Sequence, residues 1–159
     1  MNEIPEIVFR PAYQEDEAAL LRMMRNLAEQ EPGSYLFDEP VVQKALREFL
    51  GSRNFGQIWI FFAGETAVGY IVLTLGYSFE FHGRDAFIDE LYVEPQFRRQ
   101  GIARRAVQFV EERARELGVN AIHLEVDDGN DPAAELYHRS GYQDHDRYLM
   151  SKRLKPSCP

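Results

Sequence analysis

Val93-Glu94-Pro95-Gln96-Phe97-Arg98-Arg99-Gln100-Gly101-Ile102-Ala103 is the stretch on which the reading of this chain turns. It leaves an apolar strand, turns at Pro95 and starts a helix through Gly101. The first amides of a helix have no intrahelical acceptor, and the helix dipole places partial positive charge beside them. Gly101 removes the side chain that would hold an anion away, and Ala103 is nearly as small. Arg98, Arg99 and Arg104 add charge around the turn. The segment predicts a phosphate site at a helix start, although an ordinary turn with solvated arginines would use the same residues. Neither the three-glycine dinucleotide fingerprint nor a Gly-Lys-Ser/Thr phosphate loop is present.

Outward from this turn, the pattern is helical from Gly101 to Leu117. Ile102, Ala106, Phe109, Val110, Ala114 and Leu117 share a face, and Gly118 stops it. Upstream, Ala86 to Val93 reads as a strand, and Gln57–Ala63 with Thr66–Leu75 reads as a hairpin around Gly64-Glu65. Before these come a strand at Ile7-Val8-Phe9, a helix from about Glu15 to Glu29 broken at Pro32-Gly33, and a helix capped by Asp38 and ended by Gly51. Downstream come a strand over Ala121–Val126, a helix over Pro132–Ser140 and a last strand over Arg147–Leu154. The order β-α-α-β-β-β-α-β-α-β predicts an α/β domain around a mixed sheet.

The chain has 159 residues, 45% hydrophobic and 28% charged, which predicts a single domain over 1–159. A formal net charge of −8 argues against nucleic acid and anionic membranes as partners. Cys158, the only cysteine, forms no internal disulfide and reads as a free thiol on a loose tail. His82, His123, His138 and His145 are too scattered for a metal-ligand pattern, so no metal is expected. The start of the chain lacks a basic region followed by a long apolar run, and no stretch approaches the ~18 apolar residues of a membrane span. A cytoplasmic protein is expected.

A second run, Asn130-Asp131-Pro132-Ala133-Ala134-Glu135-Leu136-Tyr137-His138-Arg139-Ser140-Gly141-Tyr142, places Pro132 in a first helical turn with Asn130 or Asp131 as cap. Together the two runs resemble the GNAT superfamily of N-acetyltransferases. Arg98-Arg99-Gln100-Gly101-Ile102-Ala103 matches that family's Arg/Gln-x-x-Gly-x-Gly/Ala run. Asn130, Ala133, Leu136, Tyr137 and Gly141 match its Asn-x-x-Ala-x-x-Leu-Tyr-x-x-x-Gly-Phe run, with Tyr142 in place of Phe. The element order agrees from Ile7 to Leu154.

The resemblance implies a mostly antiparallel central sheet flanked by helices, whose fourth and fifth strands splay to admit acetyl-CoA. The pantetheine arm would pair with the backbone from Leu91 through Tyr92 to Val93, as an added strand does. The diphosphate would lie on the amides around Gln100, Gly101, Ile102 and Ala103, with the adenosine end near Arg98, Arg99 and Arg104. Asn130 and Ala133 would hold the pantetheine end, and Tyr137 would reach the thioester sulfur.

An attacking amine must be neutral, yet alkyl ammonium groups lose their proton near pH ~10.4. A base is needed, and a donor for the departing thiolate. Tyr137 is the candidate acid; backbone amides along Leu91–Val93 could polarise the carbonyl. For the base, Asp89 and Glu90 stand side by side in an apolar strand, where buried charge is costly. Alternation sends them to opposite faces unless a bulge intervenes. Asp89 is preferred as base through a water, with Glu90 as an acceptor-side or structural acid. The run Ile88–Val93 also resembles the Glu-Asp-x-x-Val strand of the diamine and polyamine acetyltransferase branch, with the two acids in reverse order. That branch uses an acid at the end of the first helix, near Glu31. Tyr77, Phe79 and Phe81 either wall the acceptor cleft or extend a homodimer surface.

The expected activity is direct acetyl transfer from acetyl-CoA to a primary amine, a small cationic one. Acetylation of a protein N-terminus or lysine is the rival reaction. A non-catalytic acetyl-CoA sensor is the rival outside enzymes, although a pure binder needs neither Tyr137 nor the Asp89-Glu90 pair.

Overall fold

The computed structural model describes residues 6–31 and 36–155. The readings of residues 1–5, of Pro32-Gly33 as a helix break and of Cys158 lie outside the described residues. Among the described residues, the strands β1 (Ile7–Pro11), β2 (Gly56–Ala63), β3 (Thr66–Ser78), β4 (Gly83–Val93) and β5 (Ala121–His123) form one sheet in sequence order. Every pairing is antiparallel except β4 with β5, which is parallel. Helices α1 (Glu17–Gln30) and α2 (Glu39–Leu50) cover one face, and α3 (Ile102–Glu116) covers the other. Helix α4 (Asp131–Arg139) follows β5.

The central strands are apolar at nearly every position because both faces are covered. In β2, Ile58 and Ile60 join the α1/α2 core while Trp59 and Phe61 join the α3 core, as the two-residue period requires. Leu20, Met23, Met24 and Leu46 fill the first core, and Ile102, Ala106, Val110 and Ala114 the second. Each side chain removed from water contributes roughly 1.5–3 kcal/mol, so the two layers hold the sheet from both sides.

Element ends differ from the sequence reading for local reasons. Helix α1 starts at Glu17, after a 3-10 turn at Gln14–Asp16. There the Asp16 carboxylate accepts from both Arg10 guanidinium nitrogens (3.0 and 2.8 Å) and from the Tyr13 amide (2.8 Å). Asp38 does cap α2, accepting from the Val41 amide at 3.4 Å. β5 is shorter than Ala121–Val126: it pairs with Asp85–Phe87 and stops at His123. Ile122 and Leu124 still pack on the α3 core, so the alternation continues past His123 and only the ladder ends early. The strand expected at Arg147–Leu154 is absent. Those residues have no ladder partner, and Tyr148 and Met150 are 97% and 90% exposed. A strand needs a sheet edge to bond to, and this segment is held instead by a side-chain ion pair, Arg147 to Glu80 at 2.8 Å.

Candidate active site

The turn between β4 and α3 is wound by its own backbone. The Glu94 amide donates to the Val68 carbonyl at 2.8 Å, and the Phe97 amide donates to the Glu94 carbonyl at 2.9 Å. Arg99 and Gly101 then adopt left-handed φ values of 58° and 76°, a pattern that gathers successive amides into a concavity. At the start of α3 the first amide to find an acceptor is that of Arg105, which donates to the Gly101 carbonyl at 3.0 Å. Among the described residues, the amides from Gln100 to Arg104 meet no acceptor in the chain. A methyl group added at Gly101 would touch nothing within 4 Å, so the space in front of these amides is open. The chemistry of the donors fits a diphosphate. Arg99 and Arg104 are exposed beside them. Arg98 turns back: its Nε donates to the Val93 carbonyl (2.7 Å), a terminal nitrogen donates to Gln30 (2.5 Å), and the guanidinium lies over the Tyr92 ring.

β4 has one paired edge and one open edge. It pairs with β3 as far as Val93, but with β5 only through Phe87. Bonded positions alternate along an antiparallel strand, and the Glu94 amide points to β3. The backbone groups of Leu91 and Val93 therefore point away from β3, into the gap that β5 leaves. The strands do splay, and the opened edge runs straight into the amide concavity.

A bulge decides where the two strand acids go. Val72 pairs with Glu90 and Leu73 with Ile88, which leaves Asp89 as the extra residue. Ile88 faces the α3 core, so Asp89 turns to the opposite face. Glu90 lies on that same opposite face, beside Tyr70 and Tyr92, because the bulge shifts the alternation by one. The Tyr70 hydroxyl donates to the Glu90 carboxylate at 2.7 Å. Burial, with the charges of Asp89 and Glu31 adding to it, raises the Glu90 pKa to about 7 against the pull of that hydrogen bond. Asp89 is more exposed, and loss of water around it also pushes its carboxyl up.

Glu31, at the end of α1, faces the same space. Its pKa is raised by burial and by the charge of Asp127, and its own charge is felt at both Glu90 and Tyr137. Tyr137 projects from α4 and is 9% exposed; burial and Glu31 push its hydroxyl up to about 12. Asn130 rather than Asp131 caps α4, accepting from the Ala133 amide at 3.3 Å. The arrangement brings together Asp89, Glu90, Glu31 and Tyr137, and adds Asp127, which the sequence reading passed over. Tyr70 and Glu94 were passed over too: the first reads as one more apolar strand position, the second as part of a turn. His138 is exposed and meets Asp144 at 2.8 Å. A cleft of about 1250 Å³ runs between residues 121–128 and 137–149; Asp127 and Tyr137 are on its wall, but no residue from 89 to 104 is. No three His, Cys, Asp or Glu side chains gather in a metal-holding group among the described residues. No helix among them is long and apolar enough to cross a membrane.

Residues 20–142 match the acetyltransferase (GNAT) family. Thialysine N-epsilon-acetyltransferase of Bos taurus is 30% identical over 151 residues, covering 87% of this chain and 85% of the bovine one. An integron cassette protein from the mobile metagenome of a salt marsh superposes with a TM-score of 0.82 at 31% identity, covering 94% of this chain and 91% of that one. A Clostridium acetobutylicum structure, a predicted acetyltransferase with acetyl-CoA, has the same fold, with a TM-score of 0.78 at 20% identity over 92% of this chain and 96% of that one.

Proposed function

The chain belongs to the GNAT acetyltransferase family and is an N-acetyltransferase; from that premise we propose that it takes acetyl-CoA as donor and a small cationic primary amine as acceptor. The observation that carries this is the parting of β4 from β5 beyond Phe87 and His123. It opens the Leu91 and Val93 backbone between an amide concavity on one side and a group of carboxylates on the other. Bound there, acetyl-CoA supplies an activated acetyl thioester.

The Leu91 and Val93 backbone holds the pantetheine arm, and the amides from Gln100 to Arg104 hold the diphosphate. Glu31 and Asp127 hold the acceptor as its ammonium ion, and Glu90 takes the proton that frees the nitrogen to attack. Glu90 suits this better than Asp89, the choice from sequence, because a base with a pKa of about 7 is about half ionised at neutral pH and still basic. Tyr137 donates a hydrogen bond to the departing sulfur. With its pKa pushed up to about 12, it stays a phenol beside the thiolate, because an alkyl thiol is the stronger acid of the two. As the C–N bond forms and the C–S bond breaks, it would stabilise the negative sulfur without giving up its own proton, and the second proton shed by the nitrogen passes to solvent. The residues act as one cytoplasmic N-acetyltransferase domain.

The acidic surround favours a cation, and the relative named for thialysine, a small amine, sets a small amine above a peptide. Calorimetric titration with coenzyme A, followed by thiol release with a panel of small diamines, amino acid amines and lysine peptides, tests both halves. Coenzyme A binding with turnover on small amines is expected. A chain indifferent to coenzyme A is not this enzyme, and preference for peptides moves it to protein acetylation.

A homodimer fits the same picture. Residues 147–155 carry Arg147, Lys152, Arg153 and Lys155 with no acid, and Tyr148, Leu149, Met150 and Leu154 are exposed. The cleft beside β5 is lined by Glu111, Glu125, Asp128 and Asp144 together with this chain's own Arg147 and Leu149, so a segment from a second copy would take the place of the chain's own. A second copy's basic, apolar segment complements it in charge. Light scattering of the chain with and without residues 147–159 is expected to give a dimer and a monomer.

A further inference from the structure

Glu94 is the buried charged residue among the described ones, at 6% exposure, and nothing in the acetyl transfer calls for a carboxylate at that depth. An ionised group so placed needs partners, and it has two. Arg22 of α1 donates to one carboxylate oxygen at 2.5 Å, and the Tyr92 hydroxyl donates to the other at 2.9 Å. Asn26 of α1 hydrogen-bonds that same Tyr92 hydroxyl. Gln30 accepts from Arg98, whose Nε is bonded to the Val93 carbonyl. Arg22, Asn26 and Gln30 are spaced by four and form one stripe along α1. The stripe grips three consecutive pieces of the phosphate-side turn: the Glu94 carboxylate, the Tyr92 hydroxyl and the Arg98 guanidinium. Glu94 is also where the turn is wound, since its amide holds β3 and its carbonyl holds Phe97. The residue directly after the stripe is Glu31, at the acceptor end.

We propose that Glu94 and Arg22 are positioning residues that lock the diphosphate-binding turn to α1, so that occupancy of the cofactor site and placement of Glu31 at the acceptor site depend on each other. Neither side chain touches a reacting atom. They act by holding the Gln100–Arg104 amides in one orientation and by tying that orientation to the end of α1. This rests on the acetyl-CoA reading above.

The test measures KM for acetyl-CoA, kcat, and coenzyme A affinity with and without the amine, in Glu94→Gln, Arg22→Gln, the double variant and Arg47→Gln. Arg47 ties α1 to α2 through Glu17 at 2.6 Å, away from the turn, and serves as the control. Either single variant is expected to raise KM for acetyl-CoA about tenfold, a typical coupling for one network, while kcat stays within about twofold. The double variant should be no worse than either single, and the amine's effect on coenzyme A affinity should vanish in all three. Arg47→Gln should change neither. If Glu94→Gln does not fold, Arg22→Gln carries the test, because its side chain is half exposed. An unchanged KM in the Arg22 variant, or an equal rise in the Arg47 variant, overturns the proposal. Wild-type protein that fails to bind coenzyme A refutes the cofactor reading instead.

Discussion

The Tyr70 hydroxyl donates to the Glu90 carboxylate at 2.7 Å across adjacent strands, and a bulge at Asp89 is what allows the two side chains to meet. Without the extra residue, Glu90 would share a face with Ile88 and point into the α3 core. There a carboxylate would have no partner, and the cost of burying it would exceed what the strand gains. The bulge converts an unfavourable core position into a group poised near neutrality.

Glu90→Gln should lower kcat/KM by about 100-fold, the low end of what a general base contributes. The rise of wild-type activity through pH near 7 should disappear in that variant, because the group that ionises there is gone. Asp89→Asn should keep the rise. A pH–rate profile of all three proteins decides it, and loss of the rise in Asp89→Asn alone would return the role to Asp89.

The same group makes stability depend on pH. Its folded pKa is above the unfolded value, so between about pH 4.5 and 7 the folded state binds more protons than the unfolded one. This contribution favours folding at the acid end and is lost as pH rises through 7. Glu90→Gln should therefore be more stable than wild type at pH 8, by on the order of 1–3 kcal/mol, with the gap closing toward pH 5. Urea melts at the two pH values measure it, and a gap independent of pH would show that Glu90 titrates normally.

Tyr137→Phe keeps the buried ring against Tyr142 and removes only the hydroxyl. Turnover should fall by about 100–1000-fold, with KM for acetyl-CoA within about twofold. Steady-state kinetics on both substrates separates this from a packing defect, which would raise KM and lower the melting temperature together.

Asn130 has an acceptor already committed to the Ala133 amide. Asn130→Ala should cost about 1 kcal/mol of stability, whereas Asn130→Asp should retain the cap. A raised KM for acetyl-CoA in the Asp variant, at unchanged melting temperature, is the outcome expected if the Asn130 amide also meets the pantetheine arm. An unchanged KM confines the residue to capping.

Coenzyme A at 100 times its Kd should stabilise the fold by about 2.7 kcal/mol. Gly101→Val should lose most of this gain, since its side chain fills the open space before the amides and its φ of 76° suits glycine. Thermal melts with and without ligand report it, and an intact gain would place the diphosphate elsewhere.

The amide concavity was legible because everything it needs is local: a strand end, a proline, a glycine and the start of a helix. Asp38 was legible as a cap for the same reason, and the α4 cap was narrowed to Asn130 or Asp131. Asp127 and Tyr70 were not, because a loop acid and an apolar-strand tyrosine gain meaning only from Glu31 and Glu90, distant in sequence. Arg98 shows the same dependence on distant partners. It reads as phosphate charge, yet its guanidinium is directed to Val93, Gln30 and Tyr92.

By itself, the sequence determined the period and order of the strands and helices from β1 to α4 and the motif that names the family, since these follow from side-chain spacing and backbone freedom along short runs. Tertiary structure alone decided that β5 ends at His123, that Arg147–Leu154 forms no strand, and which strand acid is buried beside a tyrosine. Those outcomes depend on ladder partners and on one shift of register between β3 and β4, and no local stretch of chain encodes what lies across from it.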